Sequence, residues 1–280
     1  MTERMLRHKS TAWLAVAAAA VTLGMLLFLS SLGTDRAPGT SAQVAPTATP
    51  APECLKDLDV VIVIDKTGSM DQETGGHTRL YWAKQAATAL VDGISGGSSS
   101  LGPHHVEVIT FDGDATAQPV GPALGNSDAD AVRAAINNIG DLSGSGDTYI
   151  AKGIEGATGD LNAHVHDDSY RVVVLLSDGR NYKNGDAMSG TFCNATHTRR
   201  TNTVAAIGPL HDEADTVYTV GVGNQTGTWD SCNPYELDEA LLGDIAEGPP
   251  GDYTQVIDAS TLPAVFQAIA WKIAGRALTQ

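Results

Sequence analysis

Positively charged residues are scarce in this chain of 280 residues. There are 17 lysines and arginines against 33 aspartates and glutamates, and the formal net charge is −16. Residues 53–280 hold 13 of the basic and 31 of the acidic residues, a formal charge of −18. Such a surface repels nucleic acid, which is therefore excluded as a partner. It suits divalent cations or a basic partner, and it is also typical of an exported domain that is simply soluble.

Signatures of an enzyme are missing as well. The glycine-rich segments lack the Gly-Lys-Ser/Thr ending of a phosphate-binding loop. Ser69 and Ser177 lie near aspartates, yet no feature of the sequence supplies a general base held by an orienting group. The pair His104-His105 is interpreted as exposed, and so are His164 and His166, whose spacing of two would place them on different faces of a helix. We therefore expect a protein that is not an enzyme.

The N-terminal region joins a basic opening, residues 1–10, to a long stretch without charge. Residues 11–32 are dominated by alanine, valine and leucine. A helix needs roughly 20 residues to cross the hydrocarbon core, whereas the apolar part of a cleaved signal peptide usually has about 7–15. We expect residues 11–32 to be a transmembrane signal anchor, with a cleaved signal peptide as the alternative. Positive charge ahead of the segment keeps residues 1–10 cytoplasmic and sends the rest of the chain across the membrane.

Residues 33–54 are rich in proline, alanine and threonine and have almost no bulky apolar side chain. Such a composition cannot form a core and predicts an extended, semi-rigid linker. The head that follows, residues 55–276, would be held away from the membrane on its outer side. If the N-terminal segment were cleaved, the head would be secreted.

A buried strand ends in an oxygen-rich turn near the start of the head. Residues 60–64 are five β-branched residues in a row, typical of a central strand of a parallel sheet that is buried on both faces. Asp65, Thr67 and Ser69 follow at alternate positions, and Gly68 permits a tight turn between them. Carboxylates combined with neutral oxygens are the ligands that Mg²⁺ prefers. The alternative is an Asp/Ser/Thr turn that caps the next helix.

Strands alternate with helices in the rest of the chain, which predicts a parallel sheet covered on both faces. The predicted strands are residues 60–64, 106–111, 116–120, 170–176, 217–222 and 253–257, with the third a short antiparallel edge strand. The predicted helices are residues 79–91, 128–139, 150–161, 201–211, 234–247 and 263–274. Asp112 and Asp114 form a hairpin turn in this scheme, which we favour over a second cation site. Residues 179–200 are a polar loop longer than usual for a strand-to-helix connection.

The segment Asp65-Lys66-Thr67-Gly68-Ser69 resembles the metal-ion-dependent adhesion motif, Asp-x-Ser-x-Ser, of von Willebrand factor type A domains. Thr67 stands where the family usually has serine, and it keeps the hydroxyl. The family completes its site with a threonine and an aspartate from two later loops. Matching residues occur in order, Thr148 after Gly146-Asp147 and Asp178 after the strand of residues 170–176.

The resemblance implies an α/β, doubly wound, mostly parallel six-stranded sheet of strand order 3-2-1-4-5-6, with helices on both faces. Strand 3 is then the antiparallel edge. Strands 1 and 4 are neighbours in this order, and Asp65 and Asp178 would meet at the crevice above their carboxyl ends, where open α/β sheets bind ligands. The long loop of residues 179–200 would lie beside this crevice.

The resemblance also implies a function. Asp65, Thr67, Ser69, Thr148 and Asp178 would bind Mg²⁺, or Mn²⁺ or Ca²⁺, and leave one coordination position open. An Asp or Glu carboxylate of a partner protein would fill that position, so the head would be an extracytoplasmic adhesion or protein-binding module. The alternative is a structural component of a membrane-anchored surface or pilus-like assembly.

Three cysteines permit one disulfide in an exported domain. Cys54 precedes the first strand and should lie at the amino edge of the sheet. Cys193 and Cys232 each follow a parallel strand, so both should lie in loops above the carboxyl edge. We therefore expect a Cys193–Cys232 disulfide.

Overall fold

The structure is a computed structural model that describes residues 56–140, 147–164, 166, 168–179, 181–182, 194–223, 237–246 and 252–277. The predicted anchor at residues 11–32, the linker at residues 33–54 and the Cys193–Cys232 pair lie outside these ranges. No helix within them is long and apolar enough to cross a membrane. The described residues belong to one compact unit, residues 50–280.

Eight strands, numbered in chain order, form one large sheet and one small hairpin within the described ranges. The strands of the large sheet are β1 (Leu58–Asp65), β4 (His105–Phe111), β5 (Gln118–Pro119), β6 (Tyr170–Ser177), β7 (Thr216–Val222) and β8 (Asp252–Val256). The hairpin consists of β2 (Glu73–Thr74) and β3 (His77–Thr78), which the sequence analysis did not predict.

The large sheet has the order β5-β4-β1-β6-β7-β8. Counted within this sheet alone, that is the predicted order 3-2-1-4-5-6. All neighbours are parallel except β5, which runs antiparallel to β4 at the edge with Pro119 opposite Ile109. Pro119 lacks a backbone N–H, and proline within a sheet is tolerated at such an edge. The predicted α/β fold with a mostly parallel sheet is confirmed.

Helices cover both faces of the sheet. They are α1 (Arg79–Ser95), α2 (Ala129–Asn137), α3 (Ile150–Ala163), α4 (Asn194–Glu213), α5 (Glu239–Ala246) and α6 (Leu262–Ala277). Alternate residues of a strand point to opposite faces. Val60 and Ile62 of β1 accordingly pack in a core with α1, α2 and α6, while Val61 and Val63 pack in a second core with α3, α4 and α5. Both faces of β1 are thus buried, as its run of β-branched residues predicts.

Two helices begin five or more residues away from the start that the sequence analysis predicted. Helix α4 begins at Asn194, within the segment predicted as a polar loop. Helix α5 begins at Glu239 instead of residue 234, because Asp238 caps it by accepting a hydrogen bond from the backbone N–H of Leu241 at 3.1 Å. An aspartate at this position satisfies an N–H that the helix itself leaves unpaired.

The four histidines interpreted as exposed, His104, His105, His164 and His166, are all half-buried. His105 and His166 both direct a ring nitrogen at the carboxylate of Asp59, which is fully buried. The argument from helical faces does not apply, since α3 ends at Ala163 and His166 lies beyond it. His105 is the first residue of β4.

Candidate metal centre

The centre lies at the carboxyl ends of β1 and β6, the two neighbouring strands in the middle of the sheet. Ile64 of β1 is opposite Leu176 of β6, so the residues that follow, Asp65 and Ser177, lie at the same edge. The Ser177 hydroxyl donates to Oδ2 of Asp65 at 2.6 Å. Asp178 comes next in the chain and is 1% exposed, while Asp65 is fully buried.

The turn after β1 wraps around these carboxylates. Oδ1 of Asp65 accepts a hydrogen bond from the backbone N–H of Thr67 at 2.9 Å. A short 3₁₀ helix, Gly68–Asp71, then brings the Ser69 hydroxyl to 2.9 Å from that of Thr67. Ser69 also donates to Oδ1 of Asp178 at 2.7 Å. Four of the five predicted ligands therefore form one continuous hydrogen-bonded chain.

Thr148 lies in the loop that leads into α3. Its backbone pairs with that of Tyr182, with N···O distances of 2.9 and 2.8 Å. The next residue, Tyr149, donates its N–H to the carbonyl of Asp112, which directly follows β4. Thr148 is 3% exposed. Among the described residues, no hydrogen bond joins its side chain to Asp65, Thr67, Ser69 or Asp178.

A buried arginine, Arg199, contacts the loop that contains Thr148. Arg199 of α4 is 4% exposed and donates to the carbonyls of Thr148, at 3.3 Å, and Tyr182. Its guanidinium also pairs with Asp147, at 3.1 Å, and with Asp114. One of the two turn aspartates considered for a second cation is thus the partner of an arginine. We infer that Arg199 determines where the Thr148 loop lies.

Burial dominates the electrostatics of the two central carboxylates. Loss of solvent, followed by the neighbouring charge of Asp178, raises the pKa of Asp65 from 3.8 to about 7. Loss of solvent also raises the pKa of Asp178, although the guanidinium of Arg79 and the hydroxyl of Ser69 oppose it. The protein thus holds two carboxylates side by side where their charges repel each other.

Arg79 is a neighbour of the centre that the sequence analysis missed. It is the first residue of α1, and its Nη1 atom lies 2.7 Å from Oδ2 of Asp178. A cation at the first position of a helix is disfavoured by the helix dipole, so its occurrence at the start of the first helix after the oxygen-rich turn was an available signal. Asp178 supplies the charge that offsets this penalty.

The donor set fits a hard divalent cation. Asp65 and Asp178 supply two carboxylates, and Thr67 and Ser69 supply hydroxyl oxygens within the same hydrogen-bonded chain. Mg²⁺, Mn²⁺ and Ca²⁺ take such oxygen ligands. Two ionised carboxylates against one arginine leave a net negative charge in a buried place, which a bound cation would neutralise.

Residues 60–181 match the family model described as von Willebrand factor type A domain. This range contains all five predicted ligands. The sheet order and its antiparallel edge agree with the match. The chain has the von Willebrand factor type A fold. Among curated proteins, none matches the chain in sequence.

Solved structures share this fold at low sequence identity. A von Willebrand factor type A protein from Catenulispora acidiphila superposes with a TM-score of 0.56 at 20% identity, covering 79% of this chain and 43% of that one. The pilus adhesin SpaC from Lactobacillus rhamnosus GG gives a TM-score of 0.61 at 17% identity, covering 80% of this chain and 31% of the adhesin.

A third similar structure is proximal thread matrix protein 1 from the mussel byssus, described with a zinc-occupied MIDAS motif. Its TM-score is 0.54 at 15% identity, covering 79% of this chain and 48% of that one. This chain therefore spans less than half the length of each of these three proteins. At such identities, the likeness establishes the fold alone.

Proposed function

We propose that the head is an extracytoplasmic module that binds a partner protein through a divalent cation. The cation would be held by Asp65, Thr67, Ser69, Thr148 and Asp178. Mg²⁺ is the ion that we favour, with Mn²⁺ or Ca²⁺ as the alternatives. The partner would offer an Asp or Glu carboxylate, and the module would have no catalytic activity.

One observation carries the proposal, the pair of buried carboxylates at adjacent strand ends. Asp65 and Asp178 are 0% and 1% exposed, and burial raises the pKa of each. Burying two like charges together destabilises a fold unless they are paired. Among the described residues, Arg79 forms its ion pair with Asp178, and Asp65 has no cationic partner. A cation-binding site explains why both carboxylates lie here.

The described residues would have separate tasks at this site. Asp65 and Asp178 provide the negative charge, and Ser177 and the Thr67 backbone hold Asp65 in one orientation. Thr67 and Ser69 add neutral oxygens, which leave a bound divalent ion with net positive character and an affinity for an external carboxylate. Ser69 is half-buried and Gly68 is exposed, so the open side of the site is at this turn.

The similar structures support binding as the function. One is described as a pilus adhesin, and another carries zinc in its MIDAS motif. A structural role in a membrane-anchored surface or pilus-like assembly is the second candidate. It is favoured by the similarity to the PilB minor pilin from Streptococcus sanguinis, with a TM-score of 0.56 at 14% identity. The dependence of partner binding on metal distinguishes the two roles.

The first experiment is a titration of the full chain with Mg²⁺ and Mn²⁺ by calorimetry and thermal unfolding. A ligand that binds only the native state raises the unfolding midpoint. We expect a rise for the wild-type chain and none for Asp65→Asn, which keeps the size of the side chain and removes its charge. Asp71→Asn is the matched control, because Asp71 is an exposed carboxylate at the end of the same turn. Equal metal binding by Asp65→Asn and the control would overturn the proposed site.

The second experiment tests the open coordination position. Two immobilised peptides are compared as ligands, one with a glutamate and one with glutamine at the same position. Binding of the protein to each is measured in Mg²⁺ and in EDTA. We expect binding to the glutamate peptide in Mg²⁺ only. Metal binding without any preference for the glutamate peptide would reject carboxylate recognition and favour the structural role.

A further inference from the structure

A cluster of two histidines and one aspartate lies at the opposite edge of the sheet from the candidate metal centre. Asp59 is the second residue of β1 and is fully buried, although β1 is otherwise apolar up to Asp65. Asp59 and Asp65 are six positions apart along β1, which corresponds to about 20 Å in a parallel strand. The cluster is therefore independent of the proposed adhesion site.

Strand pairing brings the first histidine to this aspartate. His105 of β4 is directly opposite Asp59 in the parallel register of β1 and β4. Its Nδ1 atom lies 2.9 Å from Oδ1 of Asp59. The His105 side chain is 16% exposed, so it closes the cluster on one side.

A turn ahead of β6 supplies the second histidine and a supporting hydroxyl. The Nδ1 atom of His166 lies 3.0 Å from both carboxylate oxygens of Asp59. The Ser169 N–H donates to the His166 carbonyl, and Asp168 between them has a left-handed backbone with φ of 65°. The Ser169 hydroxyl donates to Oδ2 of Asp59 at 2.6 Å. The turn thus delivers His166 and Ser169 to one carboxylate.

The two imidazole rings lie parallel, with centroids 4.2 Å apart and an interplanar angle of 20°. Both Nδ1 atoms point at the same carboxylate, and one ligand atom from each of the three residues lies within 4.8 Å of the others. We propose that Asp59, His105 and His166 bind one transition-metal ion of the Zn²⁺ class.

The chemistry of the three ligands selects the type of metal. Two imidazole nitrogens and one carboxylate suit Zn²⁺ and other first-row transition metals, whereas Mg²⁺ and Ca²⁺ prefer oxygen ligands alone. Zinc bonds of about 2.0 Å in a tetrahedron place ligand atoms about 3.3 Å apart. The nitrogen–oxygen distances of 2.9 and 3.0 Å need to open by only a few tenths of an ångström.

The surroundings complete the site. Ser169 orients the ligating carboxylate from outside, as hydrogen-bond partners of metal ligands commonly do. The His166 side chain is 34% exposed, which leaves a solvent-facing position for water as the fourth ligand. The ion would clamp β1, β4 and the turn before β6 together, next to the point where the head begins.

The test uses the full chain after removal of metals with a chelator. Cysteine thiols are alkylated, and excess Mg²⁺ is present to occupy an oxygen-ligand site. Co²⁺ is then titrated as a spectroscopic substitute for Zn²⁺, and Zn²⁺ binding is measured by calorimetry and thermal unfolding. The main variant is His166→Gln, since His166 is partly exposed and its replacement is compatible with folding. His164→Gln is the matched control, because the Nδ1 atom of His164 contacts a backbone carbonyl of its own helix.

We expect one equivalent of Co²⁺ to bind wild type and His164→Gln, with a four-coordinate spectrum that lacks thiolate bands. Zn²⁺ should raise the unfolding midpoint of both. His166→Gln should weaken Zn²⁺ binding by at least about 100-fold, and His105→Asn should do the same. Asp65→Asn should leave Zn²⁺ binding here unchanged, which separates this proposal from the adhesion site. A wild-type chain that binds no Co²⁺, or unchanged affinity in His166→Gln, would overturn the proposal.

Discussion

The guanidinium of Arg79 and the carboxylate of Asp178 form an ion pair at the candidate metal centre, with Nη1 2.7 Å from Oδ2. Ser69 donates to the other oxygen of the same carboxylate. Both oxygens of Asp178 therefore already have protein partners. A divalent cation at this site and Arg79 are attracted by the same charge, so the arginine weakens cation binding.

Replacing Arg79 by glutamine should strengthen binding of Mg²⁺ and Mn²⁺. Removal of one positive charge from a site of low solvent exposure is expected to raise the affinity on the order of tenfold. Arg79→Lys keeps the charge and is the control, with a smaller effect expected. Calorimetric titration of the three proteins gives the comparison. Weaker binding in Arg79→Gln would mean that the arginine holds Asp178 in the orientation that the cation needs.

The stability of the metal-free protein should decrease as the pH rises from about 4 to about 7. The pKa of Asp65 is raised from 3.8 to about 7 by burial and by Asp178. Between these values the unfolded chain has lost the proton that the folded chain still binds, so the free energy of unfolding falls with rising pH. Above about pH 7 both states are ionised and this contribution stays constant.

The variant Asp65→Asn isolates the contribution of Asp65 to the pH dependence of stability, because the asparagine amide does not titrate. The difference in free energy of unfolding between variant and wild type should grow in favour of the variant from pH 4 to pH 7. Urea unfolding in EDTA at several pH values measures it, and Asp71→Asn is the control. A difference that does not change with pH would show that Asp65 titrates as it does in the unfolded chain.

Arg199→Gln should loosen the Thr148 loop. The change removes the donor to two backbone carbonyls and the partner of Asp147 and Asp114. We expect a loss of about 3 kcal/mol in the free energy of unfolding and weaker Mn²⁺ binding, since Thr148 would no longer be held in place. Lys272→Gln, which breaks an exposed ion pair with Asp252, should cost less than about 1 kcal/mol. Unchanged Mn²⁺ affinity in Arg199→Gln would remove Thr148 from the ligand set.

Two glycines of α3 should respond oppositely to alanine. A Cβ atom at Gly153 would lie 2.8 Å from side-chain atoms of Phe111 and Val63, because α3 packs tightly on the sheet there. Gly153→Ala should therefore destabilise the fold by about 1–3 kcal/mol. At Gly159 nothing lies within 4 Å, and alanine should stabilise the helix by about 0.5–1 kcal/mol. Chemical unfolding of both variants measures the difference, and destabilisation of equal size would contradict this packing.

The strands of the large sheet and most of the candidate metal centre were predictable from the sequence. The β-branched run at residues 60–64 is compatible with few structures other than a buried strand, and Asp65, Thr67 and Ser69 are close in the chain. Their proximity in the sequence is sufficient to bring these three side chains together. The resemblance to von Willebrand factor type A domains makes the strands before Asp65 and Asp178 neighbours. Because parallel neighbouring strands end at one edge of the sheet, Asp178 could then be placed beside Asp65.

Only the tertiary structure showed which groups Arg79, Arg199 and the two histidines of the cluster contact. Arg199 is separated from Thr148 by 51 positions, and His166 from Asp59 by 107. No periodic pattern links residues so far apart, since their proximity depends on strand register and on how a turn crosses the sheet edge. The sequence determined which elements form and which of them end in ligand atoms. The packing of helices and turns on the sheet decided which charged side chains, distant in the sequence, contact those ligand atoms.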